Sequence, residues 1–363
     1  MSKLIYWFVK KLFSIDENKS LDIGLPKKFI VVRQHNQLGD LLAGVSLLRA
    51  IKETFPGSTI TLITSPSNYH GVIKNKYIDR LFNFDKKRIF DLRYLRAFYN
   101  LLREGYDIAI VPVTVSISFT SNLIARISNS KIRIGANSLD GIQNKSAFLF
   151  DRRVNIDWRK YPDSNVAERS LDLIRPFGIS TNNFQTEISF DKEDTAVAEK
   201  FISEINLSRD EFLIGFHVGA GKIPNRWSLK KFIMLMEKLK EKYPVRFYLT
   251  GSSADKEEIE FIKTNFKFEM GQFINKKISE VAAVISMSDL FVSNDTGIMH
   301  VAGATNTPQV SLFGPTNPFN WAPIGENKKF IRKSELLDDI NVDEVYEVCT
   351  LLLKNKEKVE NAV

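Results

Sequence analysis

The chain has 363 residues, which fits two domains better than one at roughly 100–200 residues per domain, and its 44% hydrophobic content gives each half material for a core. The net charge of +8 favours an anionic partner (nucleic acid, a membrane surface or a phosphorylated substrate), but no run of Lys and Arg interleaved with aromatics singles out nucleic acid. The one cysteine, Cys349, excludes an internal disulfide, and histidines at 35, 70, 217 and 300 do not cluster in sequence, which speaks against a metal cage.

No apolar stretch reaches the roughly 18–20 residues of a membrane span. The opening residues MSKLIYWFVKKLF are basic and apolar. Their apolar run, 4–9, is too short for a signal segment, and no small-residue cleavage site follows. As a helix the segment gathers Leu4, Ile5, Phe8, Val9 and Leu12 on one face near Trp7 and Phe13, with charge from Lys3, Lys10 and Lys11. Two readings stay open: a helix lying in a membrane interface, and a helix docked on the protein's own surface. The expected location is the cytoplasm, with peripheral contact to the inner membrane face under the first reading.

After a polar linker at 16–28, Phe29-Ile30-Val31-Val32 is a continuous apolar run suited to a buried parallel strand. It ends in the polar loop Arg33-Gln34-His35-Asn36-Gln37-Leu38-Gly39-Asp40. A helix is predicted from about 40 to 54, with Leu41, Leu42, Val45, Leu48 and Ile51 as its apolar stripe. Pro56-Gly57 breaks it before a strand at 59–63. The loop lacks the G-x-G-x-x-G of a dinucleotide site. Asp40 reads either as an acid complementing the helix start or as a general base at the mouth of the sheet, and spacing alone favours the former.

Further strands are predicted at 78–82, 106–113 and 132–135, and helical spacing at 86–103, 122–127 and 165–177. In the last of these, Val166, Leu171, Leu173 and Ile174 point inward and Glu168 and Arg169 outward. Pro176 and Gly178 end it, and the domain boundary is placed in the polar stretch 178–195. The second half is read as a helix at 195–205 and a strand at 212–217 running into Val218-Gly219-Ala220-Gly221-Lys222-Ile223-Pro224-Asn225-Arg226-Trp227. Small residues there let backbone N–H groups approach an anion, and Lys222 and Arg226 add charge, though P-loop spacing is absent. A helix at 229–243, a strand at 245–250, the turn Gly251-Ser252-Ser253, an acidic helix at 255–263, a brief strand at 273–274, a helix at 278–286 and a closing helix at 341–353 complete the alternation.

The stretch 289–318, DLFVSNDTGIMHVAGATNTPQVSLFGPTNP, reads as strand, turn, small-residue helix and strand. Its polar residues gather at one end of the sheet, where open α/β sheets bind ligands, and a helix start there suits a phosphate. An Asp–Thr cap before an ordinary core helix fits as well. For His300 the residues alone favour a core histidine. Both halves alternate strand and helix, so the expected architecture is α/β, with two doubly wound domains facing across a cleft.

Three segments resemble glycosyltransferase family 9, the heptosyltransferases of lipopolysaccharide core assembly. Gln37-Leu38-Gly39-Asp40-Leu41-Leu42 is similar to the family's S-L-G-D-V-L. Gly215-Phe216-His217-Val218-Gly219-Ala220-Gly221 with Arg226-Trp227 is similar to H-P-G-A followed by K-R-W-P. Ser293-Asn294-Asp295-Thr296-Gly297-Ile298-Met299-His300, then Thr307-Pro308 and Leu312-Phe313-Gly314-Pro315-Thr316, is similar to G-N-D-[ST]-G-x-M-H-L-A-A-A, G-T-P and L-F-G-P-T. The resemblance implies a GT-B fold of two Rossmann-like domains. The organisation would be a basic amphipathic N-terminal helix and linker (1–28), an acceptor-binding domain (29–180), a nucleotide-sugar-binding domain (181–340) and a C-terminal helix and tail (341–363).

The implied activity is inverting, metal-independent glycosyl transfer without a cofactor. The default donor is ADP-heptose and the default acceptor a lipopolysaccharide core or related lipid-linked surface glycan. Asp40 would be the base. Gly219, Ala220 and Gly221 would lie against the diphosphate, with Thr296, Gly297 and His300 opposite and Asp295 at the sugar or the loop. Lys222, Asn225 and Arg226 would complete the donor site, with the Ser252-Ser253 turn, and so Ser253, at the ribose and the stretch from Lys276 to Ile278 near the nucleobase. Gln37 and Arg169 would meet the acceptor. The implied partners are a nucleotide-sugar and the lipid-linked acceptor, with no nucleic acid, and peripheral contact with the inner membrane stays one of the two open readings of the N-terminal helix. The chain departs from the family at Asn225, where a Lys is usual, at His217-Val218 for His-Pro, and at Asn165 for the His of H-x-V-E-R. The alternatives are a nucleotide-sugar 2-epimerase of the same architecture and a non-catalytic glycan-assembly binding protein.

Overall fold

The computed structural model describes residues 3–34 and 37–360. The predicted loop residues His35 and Asn36, the first two residues of the predicted N-terminal helix and the last three of the predicted tail lie outside the described residues. The chain divides into two compact units, Met1–Phe184 and Gln185–Val363, and the division falls inside the polar stretch 178–195.

In the first unit α1 (Lys3–Phe13) is followed by β1 (Lys28–Arg33), α2 (Leu38–Ala43), α3 (Val45–Thr54), β2 (Thr59–Thr64), α4 (Pro66–Val72), β3 (Arg80–Asn83), α5 (Leu92–Arg103), β4 (Tyr106–Ile110), α6 (Phe119–Ile127), β5 (Ser130–Leu139), β6 (Ile142–Gln143), β7 (Arg152–Ile156) and α7 (Val166–Arg169). The strands pair in parallel in the order β3-β2-β1-β4-β5, with β7 parallel to β5 and β6 returning on β5 as a short hairpin. The apolar run of β1 is sealed on both faces. Phe29 and Val31 pack with Leu47, Leu48 and Ile51 of α3, whereas Ile30 and Val32 pack with Phe98 and Leu101 of α5 and Ile124 of α6.

Two predicted helices are interrupted. The one expected from 40 to 54 breaks at Gly44, which ends α2 and starts α3. The one expected over 165–177 survives only as α7, followed by turns. Asn165 caps its first turn, but the Ser170 hydroxyl bonds back to the Ala167 carbonyl at 2.8 Å. Past Ser170 the backbone bonds tighten by one residue, with Leu171 N donating to the Glu168 carbonyl at 3.0 Å and Asp172 N to the Arg169 carbonyl at 3.1 Å, while Leu171, Leu173 and Ile174 stay buried. Helix α1 docks on its own unit: the Tyr6 hydroxyl donates to the Lys145 carbonyl (2.9 Å) and Arg126 Nε to the Phe13 carbonyl (2.7 Å). Trp7, Phe8 and Leu12 remain exposed.

The second unit runs α8 (Lys192–Glu204), β8 (Phe212–His217), α9 (Leu229–Lys242), β9 (Val245–Gly251), α10 (Lys256–Asn265), β10 (Gly271–Ile274), α11 (Ile278–Ser286), β11 (Leu290–Asn294), α12 (Gly297–Gly303), β12 (Gln309–Phe313), α13 (Pro318–Trp321), β13 (Lys328–Arg332) and α14 (Val342–Glu360). All six strands are parallel, in the order β10-β9-β8-β11-β12-β13. Among the described residues no helix is long and apolar enough to cross a membrane.

Candidate functional site

In the second unit the strand order reverses between β8 and β11. The loops leaving the carboxyl ends of these two strands diverge there, and the crevice between them is where doubly wound sheets take ligands. The small-residue loop from Val218 follows β8, and Asp295-Thr296 follows β11, so two of the resembling motifs meet at one place. Asn294 stitches them: its Nδ2 donates to the Val218 carbonyl at 2.8 Å, and its Oδ1 accepts from Trp227 N at 3.1 Å. Trp227 anchors the far end of the loop, fully buried, with Nε1 donating to the Ile340 carbonyl at 3.0 Å. Gly219 has no space for a side chain, since a Cβ there would stand 2.0 Å from Asp255 Oδ1. At the end of β8, His217 is buried with Nδ1 3.1 Å from the Thr250 carbonyl, and burial holds its imidazole below the ordinary range.

Asp295 ties three loops together. Its Oδ2 accepts from Asn225 Nδ2 at 2.9 Å, its carboxylate also bonds the Thr316 side chain after β12, and the Lys222 charge lies nearby. Burial nevertheless pushes its carboxyl above the usual range. Thr296 caps α12 by accepting from Ile298 N at 3.0 Å, which leaves its own O–H to donate. Helix α12 has only seven residues, so its contribution to an anion site lies in backbone N–H groups more than in a long dipole. His300 is buried within it, its ring edge-on to Trp321 at 6.2 Å.

The predicted cations differ in their engagement. Lys222 is exposed beside the loop. Arg226 is held: Nε donates to the Ala220 carbonyl at 2.8 Å and Nη1 pairs with Glu258. It braces the small-residue loop from behind. Ser253 is exposed just past β9, in a turn that Asp255 closes by accepting from Ser252 N at 2.8 Å. Lys276 lies over the Phe273 ring at 5.3 Å, past the end of β10.

The first unit repeats the arrangement at its own reversal, between β1 and β4. Asp40 lies in the first turn of α2, 1% exposed. Arg33, the last residue of β1, places Nη2 2.6 Å from Asp40 Oδ2 and 2.8 Å from the Thr114 hydroxyl oxygen. The Thr114 hydroxyl, in the segment after β4, donates to Asp40 Oδ1. Gln37 is the helix cap and exposed, and its carbonyl accepts from Asn68. Arg169 bonds the Ser164 hydroxyl and the carbonyls of Tyr161 and Pro162 and lies over the Trp158 ring, so it fastens the segment before α7. Arg33, Thr114, Asn294 and Glu258 carry these sites without having been assigned roles from sequence. The available signals were a charge, Arg33, at the end of a buried apolar run, and the place of Asn294 inside the third motif.

Two Rossmann-like units, each with polar loops at its strand-order reversal, define a GT-B protein. The profile of Glycosyltransferase family 9 (heptosyltransferase) matches residues 95–345, and the chain belongs to this family and is a glycosyltransferase. It is 22% identical over 311 residues to Lipopolysaccharide heptosyltransferase 3 of Escherichia coli, across 80% of this chain and 84% of the relative. The solved structure of the glycosyl transferase family 9 from Veillonella parvula DSM 2008 shares the fold with a TM-score of 0.79 at 20% identity, over 93% of this chain and 100% of that one. The E. coli ADP-heptose lps heptosyltransferase II does so with a TM-score of 0.74 at 22% identity, over 90% and 99%.

Proposed function

We propose that the chain transfers a heptose from ADP-heptose to a lipopolysaccharide core or related lipid-linked glycan, inverting the anomeric centre, with Asp40 as general base. The names of its relatives carry lipopolysaccharide and ADP-heptose, which supports this donor and this class of acceptor. The observation that carries the reading is the buried Asp40 carboxylate at the reversal of the first sheet, aimed by Arg33 and Thr114. Helix α2 needs no such buried pair merely to be capped.

In this reading the second unit holds the diphosphate against the backbone of Gly219, Ala220 and Gly221 on one side and Thr296 and Gly297 on the other. Lys222 supplies charge from solvent, and Asn225 and Asp295 keep the two loops in register. Ser253 and Lys276 face the nucleoside. The first unit holds the acceptor, with Gln37 at its edge. The acceptor oxygen attacks the anomeric carbon opposite the diphosphate, the carbon–oxygen bond to the diphosphate breaks, and Asp40 takes the hydroxyl proton. Charge growing on the leaving diphosphate is met by fixed N–H groups, which need not reorganise during the step. The reaction consumes no cofactor. Helix α1, with Trp7, Phe8 and Leu12 exposed beside Lys10 and Lys11, brings the enzyme to the membrane that carries the acceptor.

The test is release of ADP from ADP-heptose with and without core acceptor, followed by the anomeric configuration of the product. Acceptor-dependent release with inversion supports the reading. Conversion of the nucleotide-sugar without acceptor supports an epimerase, and tight donor binding with no turnover supports a binding protein.

A further inference from the structure

The segment that follows Thr114 does not stay at the Asp40 site. Val115, Ile117 and Phe119 form one wall of a groove of about 810 Å³, and Leu139 at the end of β5, Ile142 of β6 and Tyr6 of α1 form much of the rest. That volume lies within the roughly 300–1,000 Å³ of sites that enclose small molecules. The lining is mainly apolar, and two of its side chains are open to solvent: Val115 is 54% and Ile142 74% exposed. Natural surfaces seldom leave such a concave apolar strip uncovered without a ligand.

Position and charge identify the occupant. One end of the groove begins at the residue after Thr114, whose hydroxyl holds Asp40. The other end is walled by α1, which turns Trp7, Phe8 and Leu12 to solvent. Lys145 stands exposed at the rim, and Lys10 is exposed on α1. A ligand fitting both ends has a polar headgroup at Asp40, an apolar tail along the groove and anionic groups near its rim. We propose that this groove holds an acyl chain of the lipid-linked acceptor. The inference rests on the proposed acceptor role of the first unit and specifies which part of the acceptor is read.

The experiment compares the full-length protein with Ile142→Asp and Val115→Asp, at exposed positions, with thermal melts confirming the fold of each. KM is measured for a detergent-dispersed acylated core acceptor and for the same acceptor stripped of its acyl chains. The inference expects the ratio of the two constants, acylated over deacylated, to rise about tenfold in either variant, the equivalent of a lost contact of about 1.4 kcal/mol. An unaltered ratio while the wild type transfers to both acceptors overturns the inference and leaves the proposed reaction standing. An equal loss on both acceptors also overturns it, assigning the segment to placement of Thr114. Weaker binding to vesicles of phosphatidylglycerol and phosphatidylethanolamine without any change in the ratio gives the groove to bilayer lipid and overturns it too. No transfer by the wild type to either acceptor removes the proposed reaction first, and the acceptor chain with it.

Discussion

The guanidinium of Arg33 and the carboxylate of Asp40 meet at 2.6 Å with side chains 4% and 1% exposed. Neither charge has solvent to fall back on, so the two form a unit. Removing one partner of a buried pair costs about 3–5 kcal/mol because the other charge is left stranded. Asp40→Ala therefore damages folding as well as chemistry, and Asp40→Asn, which keeps the shape and a hydrogen-bond acceptor for Thr114, is the cleaner probe. We expect Asp40→Asn to lower kcat by about 10²–10⁴-fold with donor affinity retained. Arg33→Met should lower the melting temperature more than Asp40→Asn does.

Asn225 and Asp295 share a hydrogen bond of 2.9 Å across the two donor loops. Asn225→Asp would set a second carboxylate against Asp295, already pushed up by burial. Like charges at that distance separate or share a proton, so the loops should lose register. The expected result is at least about a tenfold rise in the donor dissociation constant, read by calorimetric titration with ADP, and larger at pH 8 than at pH 5.

Gly219→Ala places a methyl group where Asp255 Oδ1 now sits. Asp255 must then leave the turn that it closes at Ser252. Weaker ADP binding with a far-ultraviolet spectrum like that of the wild type is expected, since the collision lies in a loop and not in the core.

Lys328 provides a pH test of the second unit. Its ammonium caps α12 from below, donating to the carbonyls of Ala302 (3.0 Å) and Thr307 (2.5 Å), yet burial pulls it down to about 7 from 10.5. A base depressed in the folded state binds its proton more weakly there than in the unfolded chain. Below pH 7 both states are protonated and the fold bears the full burial cost. As pH rises from 7 towards 10.5 the unfolded state alone stays protonated and stability is regained. The melting temperature of Lys328→Met relative to wild type should therefore be most favourable near pH 6 and decline towards pH 10.

Most of the fold could be read from sequence because each buried parallel strand announces itself as an apolar run, as at Phe29–Val32 and Leu290–Val292. What escaped detection had local features that contradicted its role. Strand β13 reads Lys-Lys-Phe-Ile-Arg because it is an edge strand, with Lys329, Phe330 and Arg332 exposed and only Lys328 and Ile331 turned part-way inward. The helix expected at 165–177 had the right apolar residues, and Leu171, Leu173 and Ile174 do enter one core, but the α-helix ends at Arg169 and their spacing does not mark that end. The donor loops were legible as motifs, since a small-residue loop and an Asn-Asp-Thr turn carry their chemistry in consecutive residues. The Arg33–Thr114 contact joins residues 81 apart through β1–β4 pairing, and no local pattern encodes that.

The most direct measurement is a crystal structure of the protein with bound ADP-heptose. The account predicts pyrophosphate oxygens within about 3 Å of backbone nitrogens in Gly219–Gly221 and Thr296–Gly297, with Asn294 still joining the two loops. A pyrophosphate bound away from the β8 and β11 loops would contradict it.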